Sequence, residues 1–287
     1  MEKRVIEING VKMEVDLREE EEQGIDKFIN QIIHGDCLEV MKEIPSGSID
    51  MILCDLPYGT TACKWDTIIP FEPLWEQYER VIKDNGAIIL TASQPFTSAL
   101  VMSNPKIFKE ELIWEKHKPS NFGASKSRHM KYHESILVFS KKRHTYNPQM
   151  IKRESERMGQ MQKADYVFVT GKSEVSNSSV GKTSAHKYNA EFKLPSSILK
   201  IPAVVNNSHE KTSHPTQKPV ALFEYLIKTY TNEGEVVLDN CIGSGTTAIA
   251  ALNTGRYFIG IEKEKKYFGI ANERVASHTI QQRLELA

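Results

Sequence analysis

The sequence predicts a large α/β domain built on a mostly parallel sheet and carrying one loop-rich insert. Three observations predict it. Two short apolar runs, Ile49 to Cys54 and Val236 to Leu238, suit buried parallel strands, and each ends in a turn marked by an acid and glycine. A helical stretch, Thr246 to Gly255, follows the second turn and leads into a third apolar run, Tyr257 to Ile261. The 287 residues suffice for one large domain with an insert or for two modest domains.

The elements follow in order. Val5 to Asp16 reads as a hairpin around Asn9-Gly10, and the acidic run Glu19 to Glu22 comes after it. After Ile49 to Cys54, the segment Asp55-Leu56-Pro57-Tyr58-Gly59 stops the strand and forces a turn. The Asp55 carboxylate and the Tyr58 ring therefore belong at a strand's carboxyl end, where open α/β sheets bind ligands. Gln149 to Ser213 is rich in Ser, Lys, Asn and Gly, with weak apolar periodicity, and reads as the loop-rich insert. Asp239 closes the second strand. Gly243-Ser244-Gly245 makes a tight loop that admits a ligand to the backbone, and Thr246 or Thr247 is the expected cap of the following helix. Glu262 ends the next strand, at about the interval from Asp239 at which nucleoside-binding sheets place a carboxylate for ribose hydroxyls.

Hydrophobic residues make up 40% and charged residues 26%, which excludes a disordered or membrane-spanning chain. The N-terminus lacks the apolar stretch of a signal peptide. The four cysteines, Cys37, Cys54, Cys63 and Cys241, form no C-x-x-C pair, so no metal site and no disulfide framework is expected, and a cytoplasmic setting is. The net charge of zero hides a division. Residues 1–115 carry a net of −11, residues 116–218 a net of +12 and residues 219–287 a net of −1. A basic middle between acidic flanks suggests a polyanion-binding surface.

The glycine loop also fits a dinucleotide fingerprint. Asp239 separates the cases: an acid there repels a pyrophosphate but suits the ammonium of a methionine moiety, favouring S-adenosylmethionine over a nicotinamide cofactor. Taken together, the motifs resemble those of the amino-group DNA methyltransferases, which methylate adenine N6 or cytosine N4. Asp55-Leu56-Pro57-Tyr58 matches the family's [D/N/S]-P-P-[Y/F] at three of four positions. Asp239, Gly243, Ser244, Gly245 and Thr246 match its D-P-F-x-G-S-G-T, with Asn240 and Cys241 replacing Pro and Phe. His34 to Glu39 is similar to the G-D-[CS]-[LM] segment, His214-Pro215-Thr216-Gln217-Lys218-Pro219 to the H-P-T-x-K-P box, and His133 to Phe139 to the H-E-x-[IL]-[LF] strand.

The catalytic motif precedes the cofactor motif, which resembles the permuted β arrangement of that family. The resemblance implies a Rossmann-like sheet of seven strands, one antiparallel, with helices on both faces. It divides the chain into an N-terminal extension (1–28), a catalytic half (29–145), a target-recognition insert (146–208) and a cofactor half (209–287). It implies catalytic roles for Asp55, Leu56, Pro57 and Tyr58, and S-adenosylmethionine contacts from Asp36, Cys37, Thr216, Lys218, Asp239, Gly243, Ser244, Gly245, Thr246 and Glu262. Double-stranded DNA is the expected partner, through Lys126, Arg128, Lys131, Lys141, Lys142 and Arg143, in a bacterial or phage-infected cell. A homodimer and a cognate restriction endonuclease stay open. Aspartate at position 55 leans toward adenine, with flipping of the base; cytosine N4 and a non-catalytic DNA-binding module on the same fold are the alternatives.

Overall fold

A computed structural model describes residues 3–8, 11–16, 24–61, 63, 65–120, 122–152 and 191–285. The chain divides into two compact units, residues 1–147 with 197–287, and residues 148–196. In the larger unit the N-terminal strands β1 (Lys3–Ile8) and β2 (Val11–Asp16) pair antiparallel, with Ile8 opposite Val11. The Asn9-Gly10 turn of the hairpin reading lies outside the described residues.

The central sheet has the strand order β10-β6-β7-β5-β4-β11-β12-β3. Its strands are β3 (Gln31–His34), β4 (Ile49–Cys54), β5 (Ile82–Ala92), β6 (Phe108–Ser120), β7 (Lys131–Phe139), β10 (Ile198–Lys200), β11 (Val236–Asp239) and β12 (Tyr257–Glu262). Only β7 runs antiparallel to its neighbours within this sheet. The sheet thus holds eight strands rather than seven; the added one is the three-residue edge strand β10, parallel to β6.

The helices are α1 (Cys37–Val40), α2 (Phe71–Val81), α3 (Phe96–Ser103), α4 (Val220–Tyr230), α5 (Thr246–Asn253) and α6 (Lys265–Glu285). Every residue of β4 is buried, and its side chains alternate between two cores. Ile52 and Cys54 face Leu74, Trp75 and Tyr78 of α2 and Phe96 and Leu100 of α3. Met51 and Leu53 face Leu222, Phe223 and Leu226 of α4 and Ala248 and Ala251 of α5. A strand covered on both faces is what a parallel sheet requires; its one charged residue, Asp50 near the strand's start, is answered by Lys83 at 2.7 Å and by the Val236 N–H at 2.9 Å, and the carboxyl end is left for further polar chemistry.

The expected insert of 146–208 differs from the separable unit, 148–196. Residues 197–208 rejoin the larger unit because β10 pairs with β6 and the Trp114 indole N–H donates to the Ile201 carbonyl at 2.8 Å. Within the smaller unit, β8 (Ile151–Lys152) and β9 (Phe192–Lys193) pair antiparallel. The Ser- and Lys-rich run GKSEVSNSSVGKTSAHK lies outside the described residues.

Candidate active site

Parallel pairing sets the site. Leu238 of β11 lies opposite Ile52 of β4 and opposite Ile259 of β12, and Glu262 of β12 lies opposite His34 of β3. The carboxyl ends of four adjacent strands therefore present Asp36, Glu262, Asp239 and Asp55 along one rim. All four line one cleft of about 1010 Å³. Leu56, Pro57, Tyr58, Cys37, Thr216, Lys218, Gly243, Ser244 and Thr246 line it too.

Asp55 is the most heavily bonded acid of the rim. Its Oδ1 accepts from the Tyr58 hydroxyl at 2.6 Å and from the Thr91 hydroxyl, and its Oδ2 accepts from Lys218 Nζ at 2.6 Å. Lys218 is buried and also stands 3.4 Å from Glu134. Burial pulls the Lys218 ammonium down, but the Asp55 and Glu134 carboxylates outweigh it and leave it above the ordinary lysine value. The structure thus places Lys218 on Asp55. The Tyr58 ring stacks on Phe96 at 5.2 Å with 25° between the planes, so one of its faces is taken.

The turn after Tyr58 is fixed by a residue that sequence reading passed over. Asp66 accepts from the backbone N–H groups of Gly59, Thr60 and Thr61 at 2.9, 2.9 and 2.6 Å. Burial raises the Asp66 carboxyl, and the Thr61 hydroxyl with these three donors overcomes it, leaving the group below the usual carboxylate value. A carboxylate seven positions beyond Gly59, in the sequence GTTACKWD, is the signal that was there to find.

On the cofactor side, Gly245 rather than a threonine caps α5, with φ +80°, a conformation that glycine adopts without strain. Neither threonine hydroxyl serves as the cap. Thr247 donates to Asp239 Oδ2, and Thr246 donates to the Lys218 carbonyl at 3.3 Å. Gly243 has φ +52°, and a Cβ there would lie 3.1 Å from His214 Nε2. The loop is thus packed against the H-P-T box, whose His214 clusters with Trp65 and Tyr267 at ring distances of 5.6 and 4.5 Å, those two rings lying 6.0 Å apart. Arg274 of α6 holds the loop from behind, donating to the Ser244 carbonyl at 3.1 Å.

Two of the acids here, Asp239 and Glu262, are bonded by neutral donors. Asp239 accepts from Thr247 and from Cys241 N at 3.0 Å, and burial pushes its carboxyl up to about 7. Glu262 accepts from Gly243 N and Glu264 N, both at 2.8 Å, and burial raises it as well. Asp36 caps α1 through Leu38 N at 3.0 Å and pairs with Lys263 at 3.0 Å, which holds it below the usual value. Each of these oxygens has two acceptor positions, so the acids keep capacity for a ligand's hydroxyl or ammonium protons.

The expected basic residues separate into two groups. Lys131 begins β7 at the cleft and contacts the Ser93 hydroxyl; Lys126 and Arg128 are exposed in the loop just before it. Lys141, Lys142 and Arg143 follow the far end of β7. Because β7 is antiparallel, they emerge at the amino-terminal rim, opposite the cleft. There Lys141 donates to the Ile82 carbonyl at 2.9 Å, and Lys142 pairs with Asp84 at 2.5 Å. The structure does not bring these three residues to the site.

With this geometry in place, comparison with known proteins is decisive. The family described as DNA methylase, N6_N4_Mtase, matches residues 49–273. The chain belongs to the N6/N4 DNA methylase family. The DNA adenine methyltransferase YhdJ of Escherichia coli (strain K12) is 32% identical over 263 residues, covering 86% of this chain and 83% of YhdJ. Among solved structures, the M1.HpyAVI–SAM complex matches with a TM-score of 0.56 at 26% identity, covering 85% of this chain and 98% of that one. The cytosine-N4-specific PvuII DNA methyltransferase matches with a TM-score of 0.56 over 86% of this chain and 90% of its own; at 15% identity it shows the shared fold alone.

Replacing Asp66 removes the acceptor of three backbone donors in the turn that follows Tyr58. Asp66→Ala is expected to lower stability by about 1–3 kcal/mol, the cost of leaving such groups unsatisfied. Thermal melting read beside a tritiated-methyl transfer assay checks it: both should fall, and an unchanged melt would show that the turn does not depend on Asp66.

Proposed function

We infer that this methylase transfers a methyl group from S-adenosylmethionine to the exocyclic N6 of adenine in double-stranded DNA, with the base rotated out of the duplex. The observation that carries the reading is the cleft shared by Asp55 and Asp239. An acid–aromatic turn and a glycine loop from distant parts of the chain stand on neighbouring strands, β4 and β11. The adenine-specific name of YhdJ and the aspartate at position 55 support adenine over cytosine.

The cofactor's groups fit the residues present. Gly243 and Gly245 keep the loop free of side chains, Glu262 offers acceptors for ribose hydroxyls, and Asp239 is a buried carboxylate suited to an ammonium. S-adenosylmethionine supplies the electrophilic sulfonium methyl when bound. The chain's own residues handle the amine. The adenine amino lone pair is delocalised into the ring, so a nearby acceptor must draw on its N–H to localise it. Of the four acceptor positions on Asp55, Tyr58 and Thr91 take the two on Oδ1 and Lys218 takes one on Oδ2. The remaining Oδ2 position and the Leu56 carbonyl then receive the two amine hydrogens. Leucine serves here as the family's proline does, because the group used is its backbone carbonyl. The Tyr58 ring, which lines the cleft beside the Lys218 ammonium 5.7 Å from its centre, is the surface for the base, a contact worth about 1–3 kcal/mol in nucleic-acid stacking. The base leaves the duplex at a cost of roughly a few kcal/mol. Lys126, Arg128 and Lys131 are the residues proposed to meet the phosphates beside the cleft.

Three sets of outcomes test this. Asp55→Ala should lose at least about 100-fold in turnover, the scale of removing one charge-stabilising group, while S-adenosylmethionine binding survives; nucleoside digestion of DNA methylated by the wild type should yield N6-methyladenosine, and N4-methylcytidine would overturn the adenine reading. The second outcome concerns pH. The Asp239 carboxyl, raised to about 7 by burial, is charged above that pH and neutral below it. Affinity for the ammonium-bearing cofactor should therefore fall as pH drops through 7, and calorimetric titration of Asp239→Asn should lack that dependence. Third, the Lys126→Ala/Arg128→Ala variant should reduce the slope of log affinity against log salt by up to about 1.8, at roughly 0.9 per phosphate contact. Alanines at Lys141, Lys142 and Arg143 should leave the slope unchanged; the reverse pattern would move the DNA face to the other rim.

A further inference from the structure

Behind Asp55 and Lys218 lie two more charges, Glu134 and Lys116, that the reaction as described does not use. Lys218 Nζ stands 2.6 Å from Asp55 Oδ2 and 3.4 Å from Glu134 Oε2. Glu134 Oε1 in turn pairs with Lys116 Nζ at 2.9 Å. Lys116 also donates to the Ser120 hydroxyl at 3.3 Å, and its ammonium lies 5.7 Å from the Trp114 ring centre. Lys116 and Lys218 are buried, and the Glu134 side chain is 17% exposed. All three residues line the cleft.

The supports of the two Glu134 oxygens differ. Oε1 is hydrogen-bonded to Lys116, while Oε2 is buried with no hydrogen-bond partner among the described residues. Its near neighbour is the Lys218 ammonium, closer to Asp55 than to Glu134. A buried carboxylate left in this way is costly unless its charge is answered nearby. Burial raises the Glu134 carboxyl, and Lys218 and Lys116 outweigh it, so the group ends below its ordinary value and ionised. The position of Glu134 is itself fixed by strand pairing, since β7 sets it opposite Trp114 of β6.

The geometry points to Glu134 as a positioning residue: anchored by Lys116, it holds the Lys218 ammonium on Oδ2 of Asp55 and so leaves one defined acceptor position for the target amine. This rests on the reading of Asp55 given above. Without the second carboxylate, the ammonium has one partner instead of two and a flexible four-carbon stem, so it is free to cover the position the amine needs. The bond between Lys218 and Asp55 then remains, but its direction is no longer set.

The test is a double-mutant cycle on the full-length enzyme, read as single-turnover tritium transfer at saturating S-adenosylmethionine and DNA. Glu134→Gln keeps the side chain's shape and should slow transfer roughly 10- to 100-fold, the range expected when a reacting group is misplaced by about 1 Å. S-adenosylmethionine affinity by calorimetry should stay within about threefold, and Glu134→Asp should recover part of the rate. If Glu134 acts through Lys218, Glu134→Gln combined with Lys218→Met should be no slower than Lys218→Met alone. Where Glu134→Gln alone does not fold by thermal melting, Lys116→Gln/Glu134→Gln removes both charges and enters the same cycle. An unchanged rate, a loss confined to cofactor affinity, or effects of the two substitutions that multiply would each overturn the proposal. Tritium transfer reports either methylated base, so a wild type that makes N4-methylcytidine overturns the adenine reading and leaves this test standing. Full activity in Asp55→Ala would instead remove the role of Asp55 on which both rest.

Discussion

The structure depends on one constraint, the parallel pairing of β4, β11 and β12 with their carboxyl ends level. Leu238 is in register with Ile52 and Ile259, so the residues just beyond these strands meet although nearly two hundred positions separate Asp55 from Asp239. The strands themselves are apolar inside, apart from Asp50 near the start of β4, which Lys83 and the Val236 N–H answer, because helices cover both sheet faces. Polar groups are thereby confined to the ends. Four acids accumulate on one rim, and each is tolerable there only with donors or cations close by: Thr91, Tyr58 and Lys218 for Asp55, Thr247 and Cys241 for Asp239, Gly243 and Glu264 for Glu262, Leu38 and Lys263 for Asp36.

What was legible in the sequence was local. The apolar runs, the turns that stop them and the helix after the glycine loop are written in contiguous residues, and each has its counterpart in the fold. The β10 strand was not legible, because Ile198 to Lys200 is too short to show a period and sits in a Ser- and Lys-rich stretch. The cap of α5 was misread for a related reason. Threonine is a good cap by type, but a left-handed Gly245 already turns the chain into the helix, leaving Thr247 free to bond Asp239. Partners such as Lys218 and Asp55, or Arg274 and Ser244, are set by tertiary packing and leave no trace in spacing.

The basic residues show the same limit in another form. Charge along the chain has a sign but no direction in space. Lys131 and Lys141 are separated by little more than β7, and a nine-residue strand spans about 30 Å at roughly 3.4 Å per residue. One end of that strand opens on the cleft and the other on the opposite rim, where Asp84 takes up Lys141 and Lys142. A cluster that looks continuous in the sequence is thus divided by the one antiparallel strand of the central sheet, and its first part, with Lys131, lies at the cleft.

Asp55 and Asp239, at the ends of the neighbouring strands β4 and β11, differ in what answers their charge, and in the proposed reading this difference orients the donor. Asp55 has a full cation, Lys218, at 2.6 Å; Asp239 has a hydroxyl and a backbone N–H but no cation among the described residues, and burial lifts its carboxyl to about 7. A ligand bearing an ammonium gains most by neutralising the carboxylate that lacks a counter-charge, since a buried charge without one is the costlier of the two. The amino-acid end of S-adenosylmethionine is accordingly drawn to Asp239, while Asp55, already compensated, attracts no second cation and remains an acceptor for a neutral amine. Neighbouring strands thus give two carboxylates different tasks through their partners alone: Lys218 at one and neutral donors at the other.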